Sequence, residues 1–310
     1  MNLSEEAWRM LLLIWAALVA AAIPLAALTP VRRRRGEPVK PMWVKYAAWF
    51  LIAPVVTIPM ALGRVVWMQV TFALLSLYAF EEYSRAVGLW KERGHMWLAR
   101  AGILLAYVPV FINWYGLFTA MAAYIILLVF VLPIMRDKYE GMIQRTCLTV
   151  LGVIYCGWFL AHLGFLMNAA AGRQLVLAFL FALAVNDGGA YLVGSCIGRR
   201  PLAPNLSPGK TVAGALGAIA LTIGAMFAAR FALCGISVTH TILLGFLLSV
   251  GGTCGDLAMA MIKRDVKIED TGSLIPGHGG LLERLDSVLF TAPIFFHFMN
   301  YFYDVLERVR

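Results

Sequence analysis

The chain has 310 residues, 61% apolar and only 14% charged, and its mean hydropathy is +0.80. That balance excludes an ordinary soluble domain and marks an integral membrane protein. The formal net charge of +9 gathers in loops, with no basic stripe interleaved with aromatics, so nucleic acid is not an expected partner.

A hydrocarbon core about 30 Å thick needs roughly 20 helical residues per crossing. On that measure the sequence predicts an all-α, polytopic protein of about ten transmembrane helices, near 8–28, 44–62, 65–80, 98–113, 116–135, 147–168, 175–198, 212–234, 240–262 and 287–303. The runs are long and continuously apolar rather than short alternations, which favours helices over a barrel. Glu5 and Glu6 precede the first run and Arg32 to Arg35 follow it, the flanks of a retained span rather than of a cleaved signal. Residues 1–43 therefore read as an N-terminal transmembrane anchor with a basic loop, 44–168 as a membrane helical region, and 169–310 as the part where the polar chemistry is crowded.

Lys and Arg mark cytoplasmic loops. With both chain ends outside, the inner loops collect Arg32 to Arg35, Lys40 and Lys45, then Arg85, Lys91, Arg93 and Arg100, then Arg136, Lys138 and Arg145. The last two inner loops take Arg199, Arg200 and Lys210, then Lys263, Arg264, Lys267 and Arg284. Contact with anionic membrane lipid is a further reading of Arg32 to Arg35, although the topology rule alone accounts for them. Cys147, Cys156, Cys196, Cys234 and Cys254 stand singly in or beside apolar runs and imply neither a metal site nor a disulfide framework.

The seventh run contains Asn186, Asp187, two glycines, Ala190 and Tyr191. An unpaired carboxylate there is costly, so Asp187 should face a polar cavity or a cation, with Tyr191 one turn on along the same face. A buried hydrogen-bonded packing site is the plainer alternative. The following loop, GRRPLAPNLSPGKT, reads as a set of turns in which Ser207, Lys210 and Thr211 offer donors to phosphate oxygens. It is not a P-loop, because Pro204 stands where that motif needs Gly and no strand precedes it. It does lead into a helix N-terminus, which favours anions.

The ninth run ends in the densest cluster. Asp256, Ala260 and Lys263 line one helical face with Arg264 beside them, and Asp270, Pro276, His278, Gly279, Gly280, Glu283, Arg284 and Asp286 follow. Three carboxylates, Asp256, Glu283 and Asp286, arriving from two segments would suit a hard divalent cation. The neighbouring cations would then suit a polyphosphate.

This block resembles the signature of the phosphatidate cytidylyltransferase family, the CDP-diacylglycerol synthases. That pattern runs S, two residues, K-R, four residues, K-D, then P-x-H-G-G, two residues, D-R-x-D. Here it reads Ala260, Lys263, Arg264, Glu269, Asp270, Pro276, His278, Gly279, Gly280, Glu283, Arg284, Asp286, with the spacing kept and with Ala260, Glu269 and Glu283 as departures. The likeness extends over roughly residues 42–303, with Asp187 to Tyr191 and Ser207 to Thr211 as weaker matches. It implies cytidylyl transfer from CTP to phosphatidate, giving CDP-diacylglycerol and pyrophosphate at the cytoplasmic face of a bacterial inner membrane. Mg2+ would be held by Asp256, Glu283 and Asp286, and a second cation is left open. Lys263, Arg264, Asp270, His278 and Arg284 would serve the reaction, and Ser207, Lys210, Thr211, Asp187, Tyr191, Gly279 and Gly280 would bind CTP or the lipid phosphate. A homodimer, a related lipid phosphate as substrate, a weakly active paralogue and a transporter are the open alternatives.

Overall fold

Each apolar run of the sequence is helical. The computed structural model describes residues 4–34, 36, 38–137, 139–233, 235–272 and 279–306. In chain order the helices are α1 (Glu5–Ala20), α2 (Ala22–Arg34), α3 (Lys40–Ala61), α4 (Val65–Ala86), α5 (Arg93–Phe111), α6 (Tyr115–Met135), α7 (Met142–Gly152), α8 (Phe159–Leu166), α9 (Gly172–Ile197), α10 (Val212–Ala228), α11 (Val238–Asp265) and α12 (Leu282–Tyr303). Starts are set by local chemistry. Ser4, Thr211 and Ser237 cap α1, α10 and α11 by accepting from the amides of Ala7, Gly214 and His240.

Among the described residues, seven helical segments are long and apolar enough to cross a membrane, α1 with α2 and α7 with α8 each counting as one. This is the make-up of a polytopic membrane protein. The runs outside that set are α4, α10 and α12. α10 has 17 residues, whereas α4 ends in Glu81, Glu82 and Arg85 and α12 begins with Glu283, Arg284 and Asp286. The polar ends of α4 and α12 meet, since Glu82 accepts from the Leu282 amide.

Within the expected set of turns at 198–211, residues 201–211 form a small antiparallel hairpin. Strands β1 (Pro201–Ala203) and β2 (Ser207–Thr211) pair Pro201 with Thr211 and Ala203 with Ser207. The apolar run at 147–168 also differs from a plain helix. Between α7 and α8, Val153–Trp158 form a wider π-helical turn. There Tyr155 Oη donates to the Asp286 carbonyl at 3.4 Å, and Trp158 Nε1 donates to the Phe118 carbonyl at 3.2 Å.

α9, α10, α11 and α12 pack one against the next, and α12 also lies on α8 and α4. Packing thus crosses the 168/169 boundary. α1 lies along α9, where Ser4 Oγ donates to Gln174 Oε1 at 3.0 Å. Small residues let α11 and α12 approach closely. A Cβ on Gly255 would lie 2.9 Å from both Phe290 Cβ and Ser287 Cα, and one on Gly251 2.8 Å from Thr291 Cγ2. A polar junction ties these helices together inside the bundle. Buried Asn186 on α9 accepts from Thr222 Oγ1 of α10 at 3.3 Å and from Ser249 Oγ of α11 at 2.6 Å, and its amide donates to Asp187 Oδ1 at 3.1 Å. Ser287 of α12 completes it, its hydroxyl 3.5 Å from Asp187 Oδ2.

Candidate functional site

Four helices and the hairpin meet at the polar end of the bundle. β2 carries Lys210, whose ammonium pairs with Asp256 Oδ2 of α11. Thr211, the next residue, caps α10, so the strand cannot slide without unpairing the first turn of that helix. The hairpin is also held at its tip, where exposed Arg264 donates through Nε to the Leu206 carbonyl at 3.5 Å. Ser207 opens β2 and is half-buried.

Around the Lys210–Asp256 pair stand two further acids. Asp187 of α9 feels the charges of Asp256, Lys210 and Arg284, and Asp286 of α12 feels those of Asp256, Asp187 and Lys210. Asp286 is buried, and its Oδ1 accepts from the Ser287 amide at 2.8 Å. Asp187 thus has a hydrogen-bonded packing partner in Asn186, with the charges of Lys210 and Arg284 in its field. Tyr191, one turn further along α9, is exposed, and its hydroxyl accepts from Arg32 Nη1 of α2 at 2.6 Å. The N-terminal helical segment thereby reaches the same end of α9.

A second group lies beside the first. Glu283 is buried, its Oε1 paired with the Lys263 ammonium and its Oε2 accepting from the Gly280 amide at 2.9 Å. Gly279 has φ of +74°, a conformation that suits glycine, and a Cβ there would overlap Glu283 Oε2 and lie 3.2 Å from Asp270 Oδ1. Asp270 is exposed, Arg284 is half-buried, and His278 lies outside the described residues together with Pro276.

The expected trio of Asp256, Glu283 and Asp286 is thus divided. Asp286 stands with Asp256 and Asp187, whereas both oxygens of Glu283 are engaged by Lys263 and the Gly280 amide. Among the described residues, no three His, Cys, Asp or Glu side chains are gathered closely enough to enclose a metal ion. One acid escaped the sequence reading altogether. Glu82 of α4 is buried beneath the start of α12 and accepts from the Leu282 amide at 2.7 Å. An ionisable residue in the last turns of an otherwise apolar helix was its available signal.

Comparison with known proteins places the chain in a family. The model of the cytidylyltransferase family matches residues 43–302. The uncharacterized protein YnbB of Escherichia coli is 33% identical over 278 residues, covering 87% of this chain and 89% of that protein. Phosphatidate cytidylyltransferases of Bacillus subtilis and Synechocystis are 38% and 40% identical over 136 residues, covering 42% and 43% of this chain. Those matches span 50% and 45% of the two enzymes, about half their length. With the family match running from α3 to α12 and enclosing every acid and base of both groups, the chain belongs to the cytidylyltransferase family.

Proposed function

We propose that this protein transfers a cytidylyl group from CTP to phosphatidate or a closely related lipid phosphate. A phosphate oxygen of the lipid attacks the α-phosphorus of CTP, a new P–O bond forms, and the bond to the β-phosphate breaks with its electron pair leaving on pyrophosphate. No general base is needed, since a lipid phosphate is already ionised near neutral pH. Such transfers rest on positioning and charge neutralisation rather than on covalent help. The observation that carries the reading is the Lys210–Asp256 pair, which joins the hairpin to α11 with Asp187 and Asp286 beside it.

Lys210 and Arg284 on one side and Lys263 on the other are suited to neutralise the triphosphate and the departing pyrophosphate. Asp256, Asp286 and Asp187 offer the oxygen donors that Mg2+ takes, but among the described residues no three acids are gathered closely enough to enclose the ion by themselves. When bound, that ion would supply Lewis-acid stabilisation of phosphate oxygens. Acyl chains can stay in the bilayer while the head group meets CTP at the polar end, the cytoplasmic one on the positive-inside rule.

Purified protein in lipid vesicles, supplied with labelled CTP, Mg2+ and a panel of lipid phosphates, should form a labelled CDP-lipid and release pyrophosphate. Absence of label in every lipid would overturn the assignment. Glu283→Asp tests the second group. Shortening the side chain by one methylene leaves it unable to hold both Lys263 and the Gly280 amide, so kcat/KM for CTP should fall by roughly ten- to a hundredfold. Equal activity in that variant would show that the double contact is dispensable.

A further inference from the structure

α4 ends in two adjacent acids with different surroundings. Glu81 Oε1 pairs with Arg100 Nε at 2.7 Å on an accessible face. Glu82 is 3% exposed and turns inward, beneath the segment that leads into α12. Its Oε2 accepts from the Leu282 amide at 2.7 Å, across 200 residues of sequence. Its Oε1 is buried with no hydrogen-bond partner among the described residues, as is the neighbouring Thr271 Oγ1. The backbone closes directly on the carboxylate from two sides, since a Cβ on Gly272 would overlap Oε1 and one on Gly280 would overlap Oε2.

Burying a carboxylate with half its acceptors unmet is costly, and packing a hydrophobic side chain there would be cheaper. The expense falls where it can steer chemistry. Leu282, held by Glu82, adjoins Glu283, and Gly280, which packs on Glu82, is the residue whose amide binds Glu283. We propose that Glu82 is a positioning residue for the nucleotide side of the site. It clamps residues 271–272 to 279–282, and so fixes the start of α12 and the Glu283–Lys263 pair. The inference rests on the cytidylyl-transfer reading for its kinetic consequence, whereas the clamp itself is a structural claim with its own readout.

The experiment compares wild type, Glu82→Ala, Glu82→Gln, Gly272→Ala and the double variant Glu82→Ala/Gly272→Ala, all full length in detergent or vesicles. Glu82→Ala should lower kcat/KM for CTP about a hundredfold. KM for the lipid phosphate and the melting temperature should stay unchanged, while amide exchange in the 279–285 peptide quickens. Glu82→Gln keeps an acceptor for Leu282 and should recover most of both signals. Gly272→Ala should be harmful alone yet add little to Glu82→Ala, because the carboxylate it overlaps is gone and only the 3.1 Å approach to Gly280 Cα remains. Wild-type kinetics and exchange in Glu82→Ala would overturn the proposal. So would a loss of activity matched by a lower melting temperature, or independent, additive effects of the two substitutions. If wild type forms no CDP-lipid at all, the functional reading fails, and the exchange comparison still decides whether the clamp exists.

Discussion

Asp286→Ala is expected to lower CDP-lipid formation by on the order of a hundred- to a thousandfold, the scale seen when one preorganised electrostatic group is removed from a reacting centre. Asp286 is buried near the start of α12, where it shares the charge of Lys210 with Asp256 and Asp187. Three acids near few cations repel one another, and that repulsion is a standing cost of the fold. Removing one therefore relieves strain while it removes function. The variant should melt in detergent at the same temperature as wild type or above it, with turnover of labelled CTP reduced to that extent. Unchanged turnover would end the assignment of this carboxylate to the reaction. Lost turnover with a markedly lower melting temperature would reassign it to packing.

Gly255→Leu should act by the opposite route, through the fold. Gly255 faces the start of α12 so closely that a single Cβ would come within 2.9 Å of Phe290 Cβ and Ser287 Cα. An isobutyl group there must part α11 from α12 over the stretch that holds Asp256 against Asp286. Overpacking of a tight contact costs about 3 kcal/mol or more in such a case. Both folded yield and activity should drop, measured by melting and by monodispersity in detergent. Gly224→Ala on α10 is the matched control, because among the described residues nothing beyond its own stretch of helix lies within 4 Å of its Cβ position. That substitution should leave the melting temperature unchanged or slightly raised. Equal behaviour of the two variants would show that the α11–α12 approach is not tight in the membrane.

Much of this arrangement is legible in the sequence, for identifiable reasons. Apolar runs locate the helices because a helix in lipid must satisfy its own backbone, so composition and secondary structure are coupled. Asp187 and Lys210 are legible because a charge in or beside such a run demands a partner. The hairpin at 201–211 is not, since strands of three and five residues rich in Pro and Gly look like turns until their pairing is seen. Glu283 and Asp286 lie three apart, which suggests a shared task, yet the offset between such positions in a helix is about 60°. That angle sends Glu283 to Lys263 and the Gly280 amide and leaves Asp286 with Asp256 and Asp187. Glu82 is hidden for a different reason. Its local setting, Phe80 to Arg85, reads as the solvated end of an apolar helix, and its partner lies 200 residues on.

The wide turn at Val153–Trp158 carries a consequence for chain length. An α-helix advances about 100° per residue, so deleting one residue from this turn would give a more regular helix and, at the same time, swing one flank about its axis by that angle. Tyr155 would leave the Asp286 carbonyl, or His162 would leave the aromatic pocket of Phe118 and Phe296, depending on which flank moved. Local geometry would improve and tertiary phase would be lost. A one-residue gap here is thus among the least tolerable in the chain, although nothing in the composition of VIYCGW sets it apart from its neighbours.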